Sequence, residues 1–396
     1  MPLGPLVTAK PVRLFEFCDL DIFPEYIRAR IHKMLHLLWT HHIPYIQDQA
    51  AADIAAGIVC AVLDSPSFNT DHNTPTTPTT PTPPNITHNP KTQTPNDKKT
   101  LILDFCSGAG GPTAVIEKRV NARRHQRGMR PVYFQLSDLR PQLESWTQLA
   151  CGPKYLRFVA QPVDAAAPPR AFLAGEDISL SNTVDDYHDK PKNDTEKNNA
   201  LSRTKGSSRS NRAKVVHLFC LGFHHFDDTT ARKVLRNSMN SADAFVIIEL
   251  QDRHLSSFIL LLILTIPLLA VVTPLWCPFD DWGMLFFTYL VPVIPVVLVF
   301  DGVVSSLRTR TLEEVVDLVR PTATTAADNS IRGKEEKAEE NKQTGSTGTG
   351  PLVEDDVGKY QHEKKINING WEFRAGHRMH SWPVGYLNYI IGQRRL

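Results

Sequence analysis

Thr-Leu-Ile-Leu-Asp-Phe-Cys-Ser-Gly-Ala-Gly-Gly-Pro-Thr, residues Thr100 to Thr113, is the stretch on which the fold turns. A short apolar run, Leu101 to Leu103, ends at Asp104, and the chain then turns through Gly108, Gly110 and Gly111. Pro112 suits the first turn of a following helix, so the reading is strand, glycine turn, helix. Glycine tolerates positive φ cheaply and lets a ligand lie against bare backbone, while the helix N-terminus offers N–H groups with no partner of their own. Alone, such a loop serves dinucleotides, phosphates or tight packing equally well, and its neighbours must narrow it.

Downstream, strands and helices alternate. A helix over Ala114 to Gln126 leads to a strand over Pro131 to Leu136 that ends in Ser137-Asp138, and a third strand covers Tyr155 to Ala160. Val215 to Leu221 reads as the fourth, Thr229 to Met239 as a helix and Phe245 to Leu250 as the fifth strand. This alternation predicts a mostly parallel sheet covered on both faces. Upstream, Tyr26, Ile27, Ile31, Met34, Leu35 and Leu38 form an apolar stripe at helical spacing, and an Ala-rich helix is expected from Tyr45 to Leu63.

Asp104 followed by glycines four, six and seven residues later resembles motif I of the class I S-adenosylmethionine-dependent methyltransferases, although Cys106 stands where many members carry their first glycine. The resemblance implies a Rossmann-like α/β fold, a mostly parallel seven-stranded sheet with helices on both faces. Gly370 to Gly376 and Tyr386 to Ile391 would be its antiparallel sixth and seventh strands. It also implies an S-adenosylmethionine site built from Asp104, Cys106, Gly108, Gly110, Gly111, Leu221 and Gly222. Asp138, at the end of strand two, would hold the ribose hydroxyls, since a carboxylate accepts both hydrogen bonds. Asp164, in the Asp-Ala pair after strand three, would face the adenine.

The wording Asp-Phe-Cys-Ser-Gly-Ala-Gly-Gly is also similar to motif I of the DNA cytosine-5 methyltransferases. Their Pro-Cys loop after strand four and their Glu-Asn-Val segment are both missing, so that subfamily is rejected. A nearer likeness is to fungal methyltransferase-like proteins without an established reaction. It rests on residues 104 to 113, on Gly-Phe-His-His-Phe-Asp-Asp at 222 to 228, on residues 300 to 311 and on the terminal Trp-Pro-Val-Gly-Tyr.

The organisation expected is an N-terminal helical cap (1 to 64), a disordered Thr/Pro-rich linker (65 to 99) and a methyltransferase-like domain (100 to 396) with disordered inserts at 170 to 213 and 321 to 364. After strand five the pattern is interrupted. Phe258 to Trp276 is a 19-residue run without charge and Met284 to Phe300 a second of 17. As helices they would span roughly 28 and 25 Å against a hydrocarbon core of about 30 Å, so a hydrophobic hairpin at 258 to 300 entering a membrane is favoured over a buried insert. Arg253 before it and Arg308 and Arg310 after it put the catalytic part on the cytosolic side.

With 44 basic against 42 acidic residues, the net charge of +2 gives no nucleic-acid footprint. The six cysteines contain no C-x-x-C pair, which argues against a disulfide framework or a structural zinc site. Methyl transfer to a hydroxyl or amine needs a base, and His224 and His225 at the strand-four exit are the candidates. A metal held by His224, His225, Asp227 and Asp228 is not expected, because neighbours on one turn rarely converge without a distant ligand. The expectation is therefore a membrane-associated enzyme acting on a lipid or other apolar small molecule. A catalytically inactive membrane scaffold or cofactor-binding regulator is the alternative, and a soluble protein methyltransferase the third.

Overall fold

The computed structural model describes residues 2, 4–66, 68, 100–169, 213–277, 281–320 and 363–395. The Thr/Pro-rich linker and the two polar inserts expected from the sequence lie almost wholly outside these residues.

The glycine loop joins β1 (Thr100–Phe105) to α3 (Thr113–Gln126), after two N-terminal helices, α1 (Glu25–Thr40) and α2 (Ala51–Leu63). There follow β2 (Tyr133–Ser137), α4 (Leu143–Ala150), β3 (Leu156–Phe158), β4 (Lys214–Cys220), α5 (Asp228–Ser241) and β5 (Ala244–Glu249). Next come α6 (Leu255–Trp276), α7 (Trp282–Leu290) and α8 (Val293–Arg308). The remaining elements are α9 (Leu312–Val319), β6 (Lys364–Ile368), β7 (Trp371–Ser381) and β8 (Gly385–Arg394).

The strands form one sheet of order β3-β2-β1-β4-β5-β8-β7-β6. The first five run parallel, and β8 pairs antiparallel with β5, followed outward by β7 and then β6, each joined to the strand before it as an antiparallel hairpin. The sheet thus has eight strands and not seven. The additional edge strand, Lys364-Lys-Ile-Asn-Ile, sits at the end of a polar stretch that hid its short apolar alternation.

Successive strand residues point to opposite faces, so each strand feeds two cores. Ile102, Phe134, Val216 and Val246 pack against α2 and α3 on one face. Leu103, Phe105, Val215 and Phe219 pack against α5 and α9 on the other. The alanines of α2 let it lie close on the sheet, where nearly its whole length is buried. It starts six residues later than the pattern suggests, because Tyr45 takes a left-handed turn (φ +68°).

The apolar stretches after β5 are helical, but not a pair of straight rods. Over Leu260–Leu264 the first helix widens to π geometry, and the second stretch breaks between α7 and α8 with a 73° bend. Pro292 stands at that break and removes a backbone donor. A third core joins this insert to α1, with Ile31 and Met34 meeting Leu269, Val272, Met284, Ile294 and Val297. The carboxyl end of α8 is thereby carried to the carboxyl edge of the sheet.

Candidate functional site

Asp104 is 1 % exposed at the end of β1. Thr113 Oγ1, from the first turn of α3, donates to its Oδ2 at 2.6 Å, and Oδ1 has no hydrogen-bond partner among the described residues. Burial pushes this carboxyl up to about 7, with the Thr113 hydroxyl and the nearby Ser107 hydroxyl pulling the other way, although the Ser107 proton itself goes to the Asp104 main-chain oxygen at 2.9 Å and leaves Oδ1 bare. A half-satisfied buried carboxylate costs stability, and such a group is what a cationic ligand would satisfy.

The loop above it is a left-handed path, with φ of +59° at Cys106, +52° at Gly108, +103° at Gly110 and +45° at Gly111. At Gly108 and Gly111 an added Cβ would meet nothing, so the loop leaves open space along its outer side. At Gly110 it would lie 2.1 Å from Leu149 Cδ1 of α4. That glycine is required by packing as well as by φ. α4, too short to show a sequence pattern, is the loop's floor: the buried Trp146 donates from Nε1 to Gly108 O at 2.8 Å. From the other side, His36 of α1 lies with Nδ1 3.0 Å from Gly111 O, and since a carbonyl only accepts, Nδ1 carries the proton.

Asp138 faces this loop from the β2 exit. Its Oδ2 accepts from Gly108 N and its Oδ1 from Arg140 N, both at 2.8 Å, which leaves a further lone pair on each oxygen. Asp164 is exposed and closes its own turn by accepting from Ala166 N at 2.8 Å. Val163 N donates to Asp138 O at 2.8 Å and so binds the β3 exit to the β2 exit, bringing the two carboxylates to one rim. At the β4 exit Leu221 is also left-handed (φ +55°). A Cβ on Gly222 would come within 2.6 Å of Cys106 Cβ, so the exits of β1 and β4 are in direct contact. Every residue expected to hold the cofactor therefore belongs to one carboxyl edge. A buried unpartnered carboxylate oxygen, an open glycine cradle and a second carboxylate beside it fit a group with a cationic end and a diol.

The surroundings of Cys106 disfavour the thiolate that a nucleophile needs. Burial, with Asp138, Asp104, Asp164 and Glu249 around it, pushes this cysteine far above the usual thiol range, and burial does the same to Cys220.

His224 is 3 % exposed. Its Nδ1 lies 2.9 Å from Glu249 Oε2, and its backbone N donates to Oε1 of the same carboxylate at 3.2 Å. With Nδ1 donating to a carboxylate, Nε2 is left as the free ring nitrogen. It faces Glu16 Oε1 at 3.8 Å. His225 stacks obliquely on His224, ring centroids 4.2 Å apart, but belongs to a different set of contacts. Its Nδ1 lies 3.2 Å from Arg308 Nη1 and 3.5 Å from Asp19 Oδ2. Arg308 Nη1 donates to Glu16 Oε1 at 2.7 Å and to Asp19 Oδ2 at 3.3 Å, and its Nε donates to Leu14 O at 3.1 Å.

Burial pushes Glu16 up to about 7 even against the attraction of His225 and Arg308. Burial also acts to raise Asp19, but the hydrogen bonds and charges of His225 and Arg308 win and hold it well below its ordinary range. Glu16 and Asp19 carry no local signal in the sequence, and Arg308, read there only as a charge flanking the apolar insert, none that links it to the histidines. They meet because the N-terminal segment crosses the histidines and is pinned to α8, where Asp301 accepts from Phe17 N and Cys18 N at 2.7 and 3.1 Å.

The four residues weighed as metal ligands do not converge. Asp227 caps α5 by accepting from Thr230 N at 2.6 Å, and Asp228 pairs with Arg310 at 2.9 Å. Glu16, His224 and His225 do bring ligand atoms within 4.8 Å of one another, but the Arg308 guanidinium is hydrogen-bonded among them as the resident cation.

No protein-family model matches the chain. No curated protein matches it either. Among solved structures, it is similar to a carbon methyltransferase, DszA, at 13 % identity and a TM-score of 0.30, covering 58 % of this chain and 44 % of that one. It is also similar to an O-methyltransferase family protein from Burkholderia thailandensis at 12 % identity and a TM-score of 0.26, covering 75 % of this chain and 51 % of that one. The structural neighbours are methyltransferases of which the chain spans about half the length, at scores too low to carry a conclusion about it.

Proposed function

We propose that the chain is an S-adenosylmethionine-dependent methyltransferase, associated with a membrane through its apolar insert and methylating a lipid or other apolar small molecule from the cytosolic side. The observation that carries the reading is Asp104: a buried carboxylate with one oxygen bare, at the foot of an open glycine cradle, with Asp138 on the neighbouring strand. The order of the five parallel strands with β8 and β7 beyond them supports it. So does the placing of all the loop residues at the carboxyl edge, where open α/β sheets bind ligands.

In this reading Asp104 and the N–H groups of the loop bind the methionine end, and Asp138 accepts from the ribose hydroxyls. The bound cofactor supplies an electrophilic methyl group on a sulfonium. The chain contributes position, which is most of what an in-line displacement needs. His224 would accept the acceptor's proton at Nε2 while Glu249 keeps Nδ1–H in place and stabilises the charged ring. Glu16, now 3.8 Å from Nε2, must move with its segment for an acceptor to reach that nitrogen.

The test is calorimetry of S-adenosylmethionine with the detergent-solubilised chain, beside variants Gly110→Arg and Asp138→Ala. Gly110→Arg drives a side chain into Leu149 and abolishes saturable binding, and Asp138→Ala weakens it at least tenfold. A folded wild-type chain that binds no cofactor would sink the enzyme reading in favour of the inactive scaffold.

A further inference from the structure

Beyond the loop after β5 lies a second convergence of polar side chains that the reading above does not use. Asp252 is buried, and His254 and His377 are each about a quarter exposed. His254 Nδ1 and His377 Nε2 both approach the same oxygen, Asp252 Oδ2, at 2.7 Å, and the three atoms lie within 4.8 Å of one another. The other carboxylate oxygen is fixed separately, since Oδ1 accepts from His254 N at 2.9 Å and from Ser257 Oγ at 3.1 Å. The carboxylate is thus held by its back and aimed by its front, as supporting hydrogen bonds hold the ligands of a metal.

We propose that Asp252, His254 and His377 form a binding site for one divalent first-row transition-metal ion, zinc being the ion to test. Two imidazoles and one carboxylate are the donor set of sites that leave a position open for water or substrate. Unlike the Glu16 group, this one has no arginine or lysine among the described contacts of its carboxylate. Ligand atoms on a tetrahedral zinc stand about 3.3 Å apart at bond lengths of about 2.0 Å. The observed 2.7 Å contacts must open by roughly half an ångström, which two partly exposed rings on separate elements can supply.

Proton balance is simple. A neutral ring coordinates through the nitrogen that now donates once its proton has moved, by way of solvent, to the other nitrogen. A cationic ring releases one proton to solvent. No oxidant or reductant is involved.

The location gives the ion a role separate from cofactor binding. In the sheet, Asn388 of β8 pairs with Glu249 on one side and His377 on the other, so His377 stands on Glu249's row two strands away, roughly 10 Å. Asp252 and His254 immediately precede α6. The ion would clamp the start of the apolar insert to β7, near the His224–Glu249 pair but outside it.

The experiment uses the full chain in detergent, stripped with a chelator, reloaded with zinc, dialysed and analysed for bound metal, with cobalt as a spectroscopic stand-in. Expected are one ion per chain, the intense visible absorption of low-coordinate cobalt, and a zinc-dependent rise in melting temperature. His377→Gln and His254→Gln, which keep a polar side chain, should each lose at least tenfold in affinity together with the cobalt band. A His41→Gln, His42→Gln double variant, at the exposed end of α1, should lose nothing. Less than a tenth of an ion per chain, or the same binding in the His377 and His254 variants as in wild type, would overturn the site and leave a hydrogen-bonded triad or an adventitious ion only. If the His377 variant fails to fold, the wild-type stoichiometry and cobalt spectrum still decide.

Discussion

At the scale of the residue, Asp104 shows what a local motif can and cannot disclose. Its place at the end of β1 follows from the strand-turn-helix pattern, because neighbours in sequence build it. That one of its oxygens would be bare follows only from the packing of β1 between β2 and β4. The energetic consequence has a definite sign. The folded carboxyl, pushed up to about 7, lies above the ordinary aspartate value of 3.8, so its neutral form is favoured by the fold. Stability contributed at this site is greatest below pH 4, declines as pH rises through 7 and is fully lost above it, a penalty on the order of a few kcal/mol. Asp104→Asn should therefore melt higher than wild type at pH 8 without cofactor, match it near pH 4, and bind S-adenosylmethionine less tightly. A variant that melts lower at pH 8 would show that the carboxylate is satisfied and contradict the site as drawn. His224 was readable for the same local reason as Asp104. Glu16, Asp19 and His36 were not, since each reaches the site from more than 70 residues away and none lies in a motif, and Arg308, though it falls within the stretch 300 to 311, carries nothing there that points to His225, 83 residues before it.

Elements were readable in proportion to the length and regularity of their patterns. α1 shows its stripe over four turns, and β1, β4 and β5 are mostly apolar runs bounded by turns, interrupted only by Asp104 and His217 in their interiors, as expected of strands buried on both faces. α4 has eight residues with one fully buried side chain, and β6 has five residues of which three are exposed or charged. Neither offers enough periodicity to be told from loop. The opposite case is α9, whose start at Thr311 is written in a capping box: Thr311 caps Glu314 N, and Glu314 Oε2 accepts from Thr311 N at 2.9 Å. What the motif conceals is that the same Glu314 carboxylate also holds Arg253, 1 % exposed, at 2.5 Å. Thr311→Ala should cost about 1 kcal/mol, the usual worth of a cap. Glu314→Ala removes the cap's second half and leaves a buried guanidinium with Thr8 O alone among its described acceptors, so it should cost about 3 kcal/mol or more. Urea titrations of the two variants decide it, and equal losses would mean that solvent already satisfies Arg253.

For the whole molecule, the question is what lies against the insert. α8 turns its buried side toward α1, and Ile294, Val297 and Leu298 are core residues. α6 is different: within its most apolar window only 28 % is buried, and Leu262, Ile266 and Leu275 are 57 %, 45 % and 74 % exposed. α7 adds Trp282 and Leu290, also largely exposed. A protein in water rarely leaves so many large apolar side chains together uncovered, and each would contribute about half a kcal/mol to burial in hydrocarbon. If the proposed membrane association holds, α6 is the helix among the described residues long enough to cross, and the 73° bend at Pro292 would give α7 and α8 a shallow re-entrant course. These exposed positions also make the idea separable from folding. Leu262→Asp, Ile266→Asp and Leu275→Asp together would each cost about 3 kcal/mol in a bilayer core, but as exposed side chains they should shift the urea midpoint little. Flotation with phosphatidylcholine vesicles should carry wild type to the top of the gradient and leave the triple variant at the bottom, with both chains binding S-adenosylmethionine equally. Wild type that stays at the bottom, or a variant that floats as well as wild type, would remove the membrane from the account and return the insert to a protein partner or a soluble enzyme.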